Sequence, residues 1–141
     1  MRLPERPRLL IVDDSIVVRR VLALTVRQIP ELMAAEIDEA GNGAIALKKL
    51  AQASYDLVLS DIRMPLLDGF ELVRVARREM GLRIPIVLVS TLGREEDVRR
   101  GLEAGATAYI MKPLSPHHIK LALRELIDAP DPAPSASGGN T

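Results

Sequence analysis

Cysteine and tryptophan are absent from this 141-residue chain, and aromatic residues amount to only 2%, two tyrosines and one phenylalanine. Without a thiol there is no disulfide scaffold, iron–sulfur cluster or thiolate zinc site, so any metal must sit on oxygen or imidazole. Neither sign of charge is in excess, 19 Lys and Arg standing against 19 Asp and Glu. A zero balance removes the whole-chain argument for a polyanion or nucleic-acid binder, and charge must act locally. No apolar run approaches the ~20 residues of a membrane span, and the N-terminal stretch is charged and broken by Pro4 and Pro7, unlike a signal peptide. The expectation is a cytoplasmic protein with no membrane insertion and no direct nucleic-acid contact.

The length suits one domain of roughly 100–150 residues. Composition changes once, near Ala129, where residues 129–141 lose every large apolar side chain and become rich in Pro, Ser and Gly. This reads as a flexible tail or linker after a domain of residues 1–128, packed from about residue 7 onward. Within the domain, short aliphatic runs alternate with segments of helical periodicity, which predicts a parallel sheet covered by helices on both faces.

Strands are expected at Leu9–Val12, Ala34–Asp38, Asp56–Ser60, Ile86–Ser90 and Thr107–Met111, and helices over 15–28, 43–53, 68–80, 94–105 and 116–128. The second strand alternates and so belongs at an edge, whereas the first, third and fourth are continuously apolar. In the first helix Val17, Val21 and Leu24 form the apolar stripe, with Arg19, Arg20 and Arg27 off it. Ser115 and Pro116 read as the cap and first turn of the last helix, with Ile119, Ala122, Leu123 and Leu126 facing inward. Five βα units with an edge second strand match a flavodoxin-like, doubly wound α/β fold of strand order 2-1-3-4-5, whose ligands collect at the carboxyl ends of the strands.

Those ends carry Asp13-Asp14-Ser15, Asp61-Ile62-Arg63-Met64-Pro65, Ser90-Thr91 and Lys112-Pro113. Singly, each residue reads as a cap, a turn former or a solvated charge. Together, three carboxylates in one cleft repel each other unless a divalent cation offsets them, and all-oxygen ligation selects Mg²⁺ or Mn²⁺.

Four stretches, Val12–Ser15, Asp61–Gly69, Pro85–Ser90 and Ala104–Pro113, resemble in order and spacing the receiver domain of two-component response regulators. The resemblance covers about residues 8–128. It implies that Asp61 accepts a phosphoryl group from a histidine kinase, with Asp13, Asp14, Asp61 and the backbone carbonyl of Arg63 holding Mg²⁺. It implies also that Lys112 contacts a phosphoryl oxygen, that Pro113 forms a cis turn, and that Ser90 turns toward the new phosphoryl group. Tyr109 would then move from outside to inside, repacking a surface of helix four, strand five and helix five for a downstream protein partner. Arg63 and Leu92 flank the route of water to the phosphorus and are expected to modulate the lifetime of the phosphoryl group. Phosphoryl transfer of this kind needs positioning and charge neutralisation more than acid–base chemistry, so the chain is expected to be a phosphoacceptor rather than an enzyme, self-phosphorylating and slowly dephosphorylating at most.

Competing motifs fail on context. Gly41-Asn-Gly-Ala-Ile-Ala46 fits G-x-G-x-x-A with Asp61 20 residues on, but a dinucleotide site there leaves the acidic cluster unexplained; Gly41 and Gly43 read as the turn into helix two. An aspartate-nucleophile phosphatase is a rival class, although such enzymes place an acid where Arg63 stands. His117 and His118 are adjacent on a helix and face different directions, which argues against zinc. Leu66-Leu67 reads as loop packing, with contact to a partner as the alternative for an exposed pair. The chain also resembles the receiver half of the chemotaxis methylesterase; a free-standing chemotaxis-like receiver is the reading adopted.

Overall fold

A computed structural model describes residues 1–90, 94–111 and 115–130. Parallel strands β1 (Arg8–Val12), β2 (Glu36–Ala40), β3 (Leu57–Asp61), β4 (Ile86–Ser90) and β5 (Ala108–Met111) form one sheet in the order β2-β1-β3-β4-β5. The helices between and after them are α1 (Ile16–Val26), α2 (Gly43–Gln52), α3 (Gly69–Arg78), α4 (Glu95–Ala104) and α5 (Pro116–Asp128), with a short 3-10 turn at Pro30–Leu32. No described helix is long and apolar enough to cross a membrane. This is the expected flavodoxin-like α/β fold.

Alternation along the strands divides the core into two layers. Leu9, Ile11, Leu57, Leu59, Val87 and Val89 face α1 and α5, where Leu22, Val26, Ile119 and Leu123 complete one cluster. Leu10, Val12, Val58, Ile86 and Leu88 face the other way, against Leu50, Phe70, Leu72 and Val73. Both faces of β1, β3 and β4 are thereby dry, which is why their sequences are continuously apolar.

Helix starts are written locally. Ser15, Asn42, Asp68 and Ser115 each accept a hydrogen bond from a backbone N–H in the first turn of α1, α2, α3 and α5, satisfying donors that no helical carbonyl can reach. In α5, Ile119 and Leu123 of the expected face are buried, Ala122 and Leu126 are half-buried, and Ile127 joins the core beside them.

Three expectations change. Strand two begins two residues later than Ala34–Asp38, because the 3-10 turn and the Ala35 N–H to Leu32 carbonyl bond use up residues before Glu36 N–H meets the Pro7 carbonyl. Its acids are held by arginines: Asp38 pairs with Arg8, and Glu39 with Arg19 and Arg20. The α1 stripe is also reversed. Val17 and Leu24 are 68% and 67% exposed and Val21 is exposed as well, while Leu22, Thr25 and Val26 are the buried residues. The helix is apolar nearly all round, so periodicity could not choose its inner face. Gly43 is required by proximity rather than by turn geometry: a Cβ there would lie 2.4 Å from the Leu67 carbonyl oxygen.

Candidate functional site

β1 and β3 are neighbours; Asp13 and Asp14 follow the last residue of β1, and Asp61 is the last residue of β3. One carboxylate oxygen from each of Asp13, Asp14 and Asp61 lies within 4.8 Å of the others, with Asp13 and Asp61 buried and Asp14 exposed. Asp13 is held firmly. Its N–H donates to the Ala40 carbonyl, its Oδ1 accepts from Ser15 N–H at 2.9 Å, and its carbonyl accepts from Arg19 Nη1 at 2.7 Å. Arg19 is fixed in turn by Glu39, so the edge strand braces the acidic pair.

Asp61 is oriented from below and from the side. The Ile62 N–H donates to its Oδ1 at 2.8 Å, the Ser60 hydroxyl donates to its carbonyl, and Gly69 N–H ties the loop back to the Ile62 carbonyl. At Gly69 a Cβ would stand 2.4 Å from the Asp61 carbonyl oxygen, so only glycine lets α3 start so close to this residue. An all-oxygen set of three convergent carboxylates fits a hard divalent cation such as Mg²⁺ and suits neither zinc nor copper.

Ser90 is buried at the end of β4, next to β3 in the sheet. Its hydroxyl acts on the phenol of Tyr109, a half-buried side chain of β5. The ring fills space left by Gly101, where a Cβ would be 3.3 Å from Tyr109 Cδ2. Burial pushes the Tyr109 phenol above its ordinary pKa, with the Asp97 and Asp61 charges adding and the Ser90 bond opposing. Outside this ring a cavity of about 800 Å³ opens between α4, β5 and α5, lined by Val98, Leu102, Ile110, Met111 and Ala122.

Arg63 is exposed and borders a second cavity of about 490 Å³ with Asp14, Met64, Pro65, Asp68 and Arg100. Leu66 does not pack: it is 82% exposed and sits at φ 72°, while Leu67 alone is tucked against α2. His117 and His118 are both exposed in the first turn of α5. Lys112, Leu92 and Pro113 lie outside the described residues, as does the tail from Asp131 onward. Asp97, buried in the first turn of α4 and paired with Arg94, carried no signal in the sequence, and neither did Arg100, whose guanidinium lies over the Phe70 ring.

A sheet of this order with acids gathered at its carboxyl edge defines a flavodoxin-like α/β module with its candidate site at the ends of the strands. The family model for the response regulator receiver domain matches residues 9–124, and the chain belongs to that family. The chain is 38% identical over 120 residues to the transcriptional regulatory protein ResD of Bacillus subtilis, covering 85% of this chain and 48% of that protein. It is 37% identical over 124 residues to a protein-glutamate methylesterase/protein-glutamine glutaminase of Nocardioides, covering 86% and 33% respectively. It therefore spans half or less of these relatives. The chemotaxis response regulator CheY4 of Vibrio cholerae superimposes with a TM-score of 0.76 at 30% identity, covering 86% of this chain and 98% of that one.

Proposed function

We propose that this receiver takes a phosphoryl group from a histidine kinase onto Asp61 and passes the signal to a protein partner through the α4, β5 and α5 surface. The convergence of Asp13, Asp14 and Asp61 within 4.8 Å carries the reading. An Asp61 carboxylate oxygen attacks the phosphorus in line, the P–N bond to the kinase histidine breaks, and its electron pair returns to the imidazole, which then takes a proton. Asp13, Asp14, Asp61 and the Arg63 carbonyl would hold Mg²⁺ or Mn²⁺, which when bound offsets the charge gathering on the phosphoryl oxygens. Lys112 contributes a further cation, Ser90 a hydroxyl, and Arg63 and Leu92 modulate hydrolysis. With a small phosphodonor the same chemistry amounts to self-phosphorylation followed by slow loss of phosphate.

The outward stripe of Val17, Val21 and Leu24 starts beside the acidic pair and supports docking of the kinase's helices along α1. The apolar cavity beside Tyr109 supports the output surface, with Ser90 and Tyr109 as the switch pair. Residues 129–141 serve as a tail or linker after a domain of residues 1–128. The match to a methylesterase favours a second context, in which this receiver is the regulatory part of a larger protein.

The test is incubation with Mg²⁺ and acetyl phosphate. A base-labile, hydroxylamine-labile phosphoprotein that disappears in Asp61→Asn is expected. Full labelling of Asp61→Asn, or label stable to hydroxylamine, overturns the reading.

A further inference from the structure

α4 approaches the sheet closely at Gly101, where a Cβ would lie 2.9 Å from Leu88 Cδ1 and 3.6 Å from Phe70 Cε1. The preceding residue, Arg100, is thereby carried across to α3, and its guanidinium carbon stands 4.3 Å from the centre of the Phe70 ring. Phe70 follows Gly69, which is pressed against the Asp61 backbone. Asp61, Gly69, Phe70 and Arg100 thus form one contiguous column leading from the phosphoacceptor to the surface.

At the top of that column Arg100 and Arg63 line the same open cavity of about 490 Å³, which Asp14 borders from the acidic side. Neither guanidinium has a carboxylate partner among the described residues. This contrasts with Arg8, Arg19, Arg20 and Arg124, each of which is paired. A guanidinium resting on an aromatic face keeps its full charge and its hydrogen-bond donors toward solvent.

The electrostatics give this placement a purpose. Three carboxylates at the floor of the site repel an incoming phosphate dianion, and cations at the mouth offset that repulsion and raise its local concentration. Arginine suits the task because its planar fork binds two phosphate oxygens together.

We propose that Arg100, with Arg63, forms an oxyanion-recognition rim that binds the phosphate oxygens of a small phosphodonor at the mouth of the Asp61 site. This rests on the phosphoacceptor reading above. Arg100 is exposed, so its replacement leaves the core intact.

The experiment measures the rate of labelling against acetyl phosphate concentration, at two ionic strengths, for the wild type, Arg100→Met, Arg100→Lys and Phe70→Leu. Mg²⁺ affinity is measured separately by calorimetry. Arg100→Met is expected to raise the half-saturating acetyl phosphate concentration roughly five- to tenfold, a tenfold change being about 1.4 kcal/mol, and to flatten the salt dependence. Mg²⁺ affinity should stay as in the wild type. Arg100→Lys should restore part of the loss, and Phe70→Leu should shift half-saturation less than Arg100→Met, because the charge remains. Unchanged half-saturation and salt dependence in Arg100→Met, with the wild type labelled normally, overturn the rim alone. Absence of label on the wild type overturns the phosphoacceptor reading together with it.

Discussion

Ser90 at the end of β4 and Tyr109 on β5 share a side-chain hydrogen bond, although the sheet register pairs Ser90 with Met111 and Tyr109 with Leu88. The bond runs diagonally, from a half-buried aromatic ring to a hydroxyl at the carboxyl edge of the sheet. It joins the apolar cavity beside α4 to the site of Asp61.

Its half-buried position makes Tyr109 a reporter. Burial raises its phenol above the ordinary value of 10.0, and burial together with the Asp38 hydrogen bond pushes Tyr55 up to about 12. Because the folded state favours the neutral phenols, their contribution to stability is complete below the unfolded pKa and is lost as pH rises through the folded values. Alkaline titration of tyrosinate absorbance should show less than half ionisation at pH 10. Tyr55→Phe should remove the higher step, and Ser90→Ala should move the Tyr109 step further up.

Asp38 supplies the acid counterpart. Burial works against its carboxylate, but the Tyr55 hydroxyl at 2.6 Å and the Arg8 guanidinium outweigh that cost and hold its pKa below the ordinary 3.8. Stability from this group is present above the unfolded value and lost as pH falls through the lower folded one. Tyr55→Phe should cost about 1–2 kcal/mol near neutral pH. The difference should shrink in urea melts as pH is lowered below 3.8, where only these partners keep Asp38 ionised.

Gly69→Ala should be far costlier than a surface substitution. The added Cβ would stand 2.4 Å from the Asp61 carbonyl oxygen and 2.8 Å from Ile62 Cα, and backbone cannot swing aside as a side chain can. A loss of about 1–3 kcal/mol is expected from overpacking, together with slower labelling of Asp61, whose peptide must shift. Gly81→Ala is the control: at φ 67°, with nothing within 4 Å of a new Cβ, it should carry only backbone strain of about 1–2 kcal/mol.

Leu66→Gly should go the other way. Leu66 holds φ 72° with its side chain 82% exposed, so little packing is lost and left-handed strain is relieved. The urea midpoint should rise, by up to about 1 kcal/mol in stability, with an unchanged slope.

Much of the molecule could be read without coordinates. Continuously apolar β1, β3 and β4 announce strands covered on both faces, and Ser15, Asp68 and Ser115 announce helix starts. The order 2-1-3-4-5 then brings Asp13, Asp14 and Asp61 to one edge. The inner face of α1 is not legible because Val17, Val21 and Leu24 are as apolar as the buried Leu22 and Val26, leaving pattern without contrast. The start of β2 is not legible, because the 3-10 turn before Glu36 is a matter of backbone bonding, and its acids Asp38 and Glu39 are answered by arginines of β1 and α1.

What the sequence determined by itself was the chemistry at each strand end and the alternation that builds the sheet, since both depend on residue type and on the fixed period of the backbone. How close the pieces stand is set by packing between elements distant in the chain. The missing Cβ atoms of Gly43, Gly69 and Gly101 matter because of what lies opposite them, and Arg100 gains meaning only from the Phe70 ring beneath it. Such contacts join residues far apart in the chain, and no local pattern encodes the distance between them.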